Sequence, residues 1–405
     1  MLAFGFENRE RASAGGVDSE RLLTRPFALV LCLQFCFGLS YSTFFLLPKF
    51  LAREFHANAD AIGAVAATAL LASVLASPWT GAWLDSGARR PFIGYGALVN
   101  GLSGCAFWLI HSVSWPIFAL RVVHGISYGL VFNGIVTLAA DLAPPKKLGQ
   151  AIGLCGAASI LSNAVAPAIA EPIADHHGWG WVFLLAGGAA LFTALLALGL
   201  REPEHASDPV SEAELRASPS ALALLREPQR FGAFVCSAAN GAAFGAMFTY
   251  TQPFALSLGA TAVSSFFLGY TLVALIVRLF LGGAADAWGR RRVAVAALLL
   301  YGLVTSLTSL LQPNLLFAVG GGLGLSHGLL YPSLNALAAE GIPRARRGAV
   351  MSYFFGCFGA GSALWVLGLG VIARAYGYPV VFLATGLLVW SAIAFVPKKA
   401  LGLSA

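Results

Sequence analysis

The chain has 405 residues, of which 58% are hydrophobic and only 11% are charged, and its mean hydropathy is +0.78. A soluble domain lies nearer half apolar and a quarter charged, so this composition excludes a water-soluble fold and makes a lipid bilayer the solvent. The formal net charge of +7 does not indicate nucleic acid, because the basic residues sit in short loops between apolar runs, a placement that sets membrane orientation.

Residues 1–26 carry Arg9, Arg11, Arg21 and Arg25 among acids and have no apolar core. They read as a cytoplasmic segment and not as a cleavable signal peptide. Twelve apolar runs follow, at 27–47, 61–83, 92–111, 116–140, 150–172, 179–200, 231–256, 262–285, 293–311, 315–339, 349–374 and 379–397. A helix needs about 20 apolar residues to cross the hydrocarbon core. Helices satisfy their own backbone groups there, and runs this long exclude the alternating strands of a barrel. The expected fold is an all-α membrane protein with twelve transmembrane helices. Both termini then share one side. On this count twenty of the 25 Lys and Arg fall on that side, Lys49, Arg53 and Arg374 on the other, and Arg121 and Arg278 within spans. The asymmetry predicts a multi-pass protein of the cytoplasmic (inner) membrane with both termini in the cytoplasm.

Span 1 ends at Pro48 and has no acid; its polar residues include Gln34 and Tyr41, both candidates to face a cavity. Span 2 closes on Gly81-Ala82-Trp83-Leu84-Asp85-Ser86-Gly87-Ala88-Arg89-Arg90. In span 4, Arg121, His124 and Tyr128 are spaced i, i+3, i+7 and share one helix face. An arginine inside a bilayer costs several kcal/mol unless it faces a wet cavity or a partner, so Arg121 is a functional candidate; the plainer alternative is snorkelling to the outer surface. In span 5, Gly149, Gly153 and Gly156 have the spacing of close helix packing. Asn163 is a candidate cavity polar group. Glu171, near the outer end of the span, is expected at the outer surface. Residues 201–229 mix charge signs, contain Pro203, Pro209, Pro219 and Pro228, and read as a linker.

Beyond the linker, Asn240 in span 7 is a further candidate, and Pro253 ends that span. Arg278 in span 8 precedes Asp286 by eight residues, about 12 Å along a helix, which places a cation well inside the membrane. It either contacts an anionic substrate or bridges polar groups. Span 8 closes on Gly282-Gly283-Ala284-Ala285-Asp286-Ala287-Trp288-Gly289-Arg290-Arg291. In span 10, His327, Tyr331 and Asn335 are spaced i, i+4, i+8 on one face, while the run Gly320-Gly321-Gly322-Leu323-Gly324 reads as helix packing. Either His124 or His327 could carry a proton near neutral pH. Trp365 in span 11 is a candidate stacking group. The six cysteines all lie in apolar runs without a CxxC pair or ligand cluster, so no disulfide, metal or other cofactor is expected.

The two span-end segments lie 201 positions apart, and Gly125-Ile126-Ser127-Tyr128-Gly129-Leu130 echoes Gly324-Leu325-Ser326-His327-Gly328-Leu329 at an offset of 199. Internal symmetry of this kind marks many secondary transporters. It predicts two pseudo-symmetric six-helix bundles, residues 27–200 and 230–397, with the 201–229 linker between them and a cytoplasmic tail at 398–405.

These features resemble the major facilitator superfamily over the whole chain. The superfamily carries a loop signature after spans 2 and 8: a Gly, an Asp four residues later, then Gly-Arg-Arg/Lys. The second copy matches fully; the first has Ala88 for Gly and Ser86 where a basic residue is common. The resemblance implies that Asp85, Arg89, Arg90, Asp286, Arg290 and Arg291 form a conformational latch, through charge-assisted bonds to neighbouring helix ends. Topogenic charge is the simpler alternative. Arg121 and Gly125 match a span-4 pattern that is linked to proton coupling in the superfamily's antiporters. The span-5 pattern of its exporters, a Gly-rich helix ending in Gly-Pro, is departed from at Ala166-Pro167. Many proton-coupled exporters also carry a span-1 acid that this chain lacks. Its monocarboxylate transporters, like this chain, have a span-8 arginine.

The expected function is secondary active transport of a small organic molecule by alternating access, as proton-coupled efflux of a drug or metabolite. An organic-anion uptake symporter is the alternative, and a non-transporting membrane sensor a more distant one. No nucleotide loop, metal cluster or nucleophile–base set suggests an enzyme. The expected partners are the substrate, protons and lipid, with no nucleic acid, and the protein is expected to be a monomer.

Overall fold

The computed structural model describes residues 22–85, 89–144, 147–200, 227–281, 287–342 and 344–397. The regular elements among them are all helical. In chain order they are α1 (Arg25–Thr43), α2 (Leu47–Glu54), α3 (Ala59–Asp85), α4 (Arg89–Ala106), α5 (Trp115–Leu142), α6 (Leu148–His177) and α7 (Trp179–Ala197). The second half of the chain supplies α8 (Pro228–Ser257), α9 (Ser264–Phe280), α10 (Arg290–Leu307), α11 (Leu316–Ala339), α12 (Arg344–Tyr376) and α13 (Tyr378–Ser391). A short 3-10 turn joins α1 to α2, making one rod, Arg25–Glu54. By length and composition, eleven of the described helical segments can cross a membrane. The twelfth apolar run forms α9, a helix of 17 residues. Most of the expected linker, residues 201–226, and the 398–405 tail lie outside the described residues.

Two expected span ends are not ends. Pro48 sits in the first turn of α2, where a missing N–H costs nothing, and the helix runs on to Glu54. Pro253 lies inside α8, which continues to Ser257.

Small residues let the helices approach. A side chain on Gly320 or Gly324 of α11 would collide with the Phe266 or Tyr270 carbonyl of α9, and one on Gly241 of α8 with the Phe358 carbonyl of α12. The glycine run of α11 is thus a packing surface, as read from the sequence. Gly149 and Gly153 instead face open space; only Gly156 of that trio has a close neighbour, the Arg278 guanidinium. The α6–α7 and α12–α13 corners are single glycines, Gly178 (φ 88°) and Gly377 (φ 83°), a left-handed conformation that favours glycine.

Contacts between the two halves of the chain follow two seams, α3 against α12 and α6 against α9. The outside is apolar, with Leu195, Leu279, Phe280, Leu364 and Val371 exposed. Exposed tryptophans mark both rims: Trp83 and Trp288 near one, Trp108, Trp115 and Trp181 near the other. Such aromatic belts sit at membrane–water interfaces.

Candidate functional site

The alternation of helices puts the start of α1 and the end of α13 at one face, here the terminal face; the opposite one is the distal face. A small cavity of about 70 Å³ lies between the halves, towards the distal face. Tyr41, Phe44 and Phe45 contribute from the first rod, Arg121 from α5, and Phe244 and Phe248 from α8. Its wall is a chain of ring contacts: Phe45 meets Phe248 at 4.9 Å and Phe267 at 6.0 Å across the halves.

Of the expected residues, Tyr41 and Arg121 line this cavity; those of the second half lie behind its wall, the His327 ring 5.0 Å from that of Phe244. Tyr41 stacks on Tyr128 at 3.9 Å. Arg121 is 93% buried; its Nε donates to the Val65 carbonyl at 3.3 Å, its guanidinium lies 6.0 Å from the Phe44 ring, and its Nη1 has no hydrogen-bond partner. In the second half, His327 Nδ1 and Asn240 Oδ1 are 3.1 Å apart, and the His327 ring is 5.6 Å from that of Tyr331. Arg278 lies across Gly156 of α6, and its field reaches Tyr270, His327 and Tyr331. Asn335 is half-buried one turn beyond Tyr331.

Other candidates are placed differently. His124 shares a helix face with Arg121, yet its ring is held between Phe44 at 4.2 Å and Phe107 at 5.2 Å. It belongs to the aromatic core of the first half, because the neighbouring helices close over it. Gln34 donates to Ser159 Oγ at 2.5 Å and bridges α1 to α6. Asn163 accepts from Ser42 Oγ at 2.8 Å, and Trp365 Nε1 donates to Thr385 Oγ1 at 3.0 Å.

At the terminal face, Arg89 pairs with Asp141, and Arg290 lies 3.8 Å from Glu340. The pairs repeat with the sequence: the arginines are 201 positions apart and the acids 199. Arg90 donates to the Leu198 carbonyl at 2.6 Å, and Arg291 is exposed. These contacts join helix ends within a half and do not cross between halves. Asp286 and the Asp85 side chain lie outside the described residues.

The distal face is where the halves are tied by polar groups. Lys49 of α2, fully buried, meets Glu171 of α6 at 2.6 Å. The Glu171 carboxylate crosses to the second half, where Oε1 accepts from Val263 N at 2.7 Å and Oε2 from Ser264 N at 2.8 Å. Lys49 reaches the Thr261 carbonyl at 3.4 Å, Gln252 of α8 donates to the Phe45 carbonyl at 2.7 Å, and Arg374 pairs with Asp60 at 2.8 Å. This corrects the expected exposure of Glu171, which is 2% exposed, and moves Lys49 out of the loop charges. The signal was present as paired spacings: Lys49 and Arg53 on α2 face Glu171 and Asp175 on α6, all at i, i+4.

Such a helical assembly, with a cavity between its halves, has the architecture of a multi-pass membrane protein. The sequence pattern of the Major Facilitator Superfamily matches residues 30–270 and 255–399, and the chain belongs to that superfamily. It is 26% identical over 238 residues to "Multidrug resistance protein 1" of Bacillus subtilis, an alignment covering 58% of this chain and 60% of that one. It is 24% identical over 337 residues to the "Multi-drug resistance efflux pump PmrA" of Streptococcus pneumoniae, covering 81% and 83%. The identity to "Multidrug resistance protein MdtG" of Salmonella paratyphi A is 24% over 340 residues, covering 82% and 83%. The fold superposes on the nucleoside transporter NupG with a TM-score of 0.70 at 14% identity, covering 93% of this chain and 100% of that one. For a bacterial homologue of the human lysosomal transporter Spinster, in an inward-facing and unoccupied conformation, the TM-score is 0.68 at 14% identity, covering 93% and 96%.

Proposed function

We propose that this transporter exports small drug-like organic molecules across the cytoplasmic membrane in exchange for protons, by alternating access. Two pseudo-symmetric six-helix bundles, 27–200 and 230–397, would rock about the central site, joined by the 201–229 linker. The protein acts as a monomer with both termini in the cytoplasm, which makes the terminal face cytoplasmic and the distal face external. The observation that carries this reading is the aromatic cavity between the halves, next to a distal face tied shut by Glu171 and Gln252. A closed distal face is one of the features an inward-facing state requires. Relatives named as multidrug pumps support export.

One observation favours a second reading, transport of organic anions. Arg121 Nη1 and Arg278 Nε are buried without a hydrogen-bond partner, and every acid among the described residues lies in the first or last two turns of its helix or just beyond it. The interior field is therefore positive.

A thermal-shift series on the purified protein in detergent separates the two. The probes are aromatic amphiphiles of matched size, cationic, neutral and carboxylate. A ligand at 100 Kd stabilises by about 2.7 kcal/mol. The exporter reading predicts stabilisation by neutral and cationic probes that survives Arg278→Ala. Stabilisation by the carboxylate alone, lost in Arg278→Ala, would assign the protein to organic anions instead.

A further inference from the structure

A second cavity, of about 350 Å³, opens at the distal face and is walled by the first half of the chain. Its size falls within the roughly 300–1,000 Å³ of small-molecule sites. No residue lines both this cavity and the central one. A layer of rings separates them: Phe44 of the central cavity meets Phe107 at 4.9 Å and Phe183 at 5.9 Å, and those two rings line the distal cavity. The end of α2 adds Phe50, Glu54 and Phe55, the turn after α4 adds Trp108 and His111, and the start of α7 adds Trp179. Three helical segments finish at this wall, α2 at Glu54, the 3-10 turn Phe107–Leu109 and α6 at His177, while α7 begins there. The last carbonyls of a helix lack partners and carry the negative end of its dipole. Three negative ends thus face one positive end.

The lining differs from an interfacial belt. Trp181, two residues further on, is exposed as a belt residue is, but Trp179 is buried and its Nε1 donates to Glu54 Oε1 at 3.1 Å. A carboxylate therefore fixes the indole, which also packs on the Phe50 ring at 5.2 Å. Glu54 is the last residue of α2, the helix end at which an anion is unfavourable. The cations beside it are engaged elsewhere, Lys49 with Glu171 and Arg53 with Asp175. Glu54 makes no ion pair among the described residues, and no Lys or Arg lines the cavity. We infer that this cavity binds an alkylammonium group, carried by a free organic cation or by a lipid headgroup, at a site separate from the central one. Ring faces attract such a cation, and the Glu54 carboxylate neutralises it. An anionic ligand would meet the charge of Glu54 and the three helix ends, and a neutral one would leave that charge uncompensated.

Trp108 forms the outer edge of the cavity and is half exposed. It stands over Gly180, where a Cβ would come 3.2 Å from the indole, so a glycine keeps the space beside that ring open. The position at the distal rim gives entry from the water and from the headgroup layer, and the same ammonium chemistry arrives from both. The inference does not depend on the direction of transport or on what occupies the central cavity.

The test is protection of a cysteine from a water-soluble maleimide, on the full chain with the six native cysteines replaced by alanine. His111→Cys places the thiol at the exposed edge of the cavity. The probes are choline and its uncharged isostere 3,3-dimethylbutan-1-ol, in nonionic detergent. Choline slows labelling saturably and the isostere does not. Glu54→Gln keeps an acceptor for the Trp179 N–H but removes the charge, and raises the half-protecting concentration at least about tenfold. Trp179→Phe raises it roughly two- to fivefold, the share of one indole face. Phe248→Ala, in the central cavity, leaves it unchanged. Nanodiscs then assign the source. Protection without added choline in phosphatidylcholine discs, absent in phosphatidylglycerol discs, identifies a lipid headgroup; protection in both only on adding choline identifies a free cation. The inference is overturned if the isostere protects equally, if labelling is indifferent to choline, if Glu54→Gln changes nothing, or if Phe248→Ala abolishes protection. The readout sits in the distal cavity, so failure of the export reading would show separately in the ligand series.

Discussion

Arg121→Met is expected to reduce transport by at least about a hundredfold, some 2.7 kcal/mol of lost stabilisation on the scale of 1.36 kcal/mol per tenfold in rate, while the protein stays folded and melts no lower than the parent. The two halves of this expectation have one origin. Arg121 is 93% buried without an acidic partner among the described residues, held by one carbonyl bond and a distant ring. A charge so placed costs roughly 2.5–3.5 kcal/mol on insertion scales, and replacing an uncompensated buried charge by an apolar side chain of similar length is neutral or stabilising. A structural arginine would give the opposite pairing, lower melting with transport lost in proportion to folded protein. Melting curves and transport rates normalised to folded protein distinguish the two.

Gly241→Leu is expected to give no monodisperse protein on size-exclusion chromatography, whereas Gly149→Leu gives the parent's yield. At Gly241 a Cβ meets the Phe358 carbonyl, which is backbone and cannot rotate away. The α8–α12 contact, among the most extensive in the molecule, would have to spread to admit it. Overpacking a core with extra methylenes costs about 1–3 kcal/mol when side chains can adjust, and here a main chain must move. Gly149 has open space around it, so the same side chain meets nothing. Equal yields of the two variants would show that α8 and α12 pack less closely than described.

The contrast between these glycines also shows what the sequence discloses. Both sit in spans, and the trio in α6 has the cleaner packing spacing, yet only Gly156 is approached, and by an arginine from the other half. Spacing fixes which residues share a helix face; it does not say whether another helix lies there. The same limit applies to His124, which correctly shares a face with Arg121 but is enclosed by Phe44 and Phe107 from other helices. The twelve apolar runs, the repeated arginine segments and the α11 glycine surface were legible because each depends on local sequence alone. The distal cluster was legible only in the paired spacing of its charges. It needs α2 to continue past Pro48, and it joins residues 122 positions apart within the first half to amides of the second. Backbone donors leave no mark in a list of side chains.

The tie at Glu171 also alters how the charged residues are weighed. The exposed Asp60–Arg374 pair ties the other seam, but pairs open to water contribute about 0–1 kcal/mol. At Glu171 the bonds that cross the seam are buried: two amides of the second half donate to the carboxylate, and hydrogen bonds to a charged group contribute about 1.5–3 kcal/mol each.

The most direct test of proton-driven export is flux in vesicles. The purified protein is reconstituted into proteoliposomes with an acidic lumen and offered a fluorescent lipophilic aromatic compound outside. The account predicts accumulation above the equilibrium level in vesicles containing protein, collapse when a protonophore dissipates the gradient, and near-background uptake with Arg121→Met. Uptake that merely equilibrates at the rate of protein-free vesicles, or accumulation indifferent to the pH gradient, would contradict it.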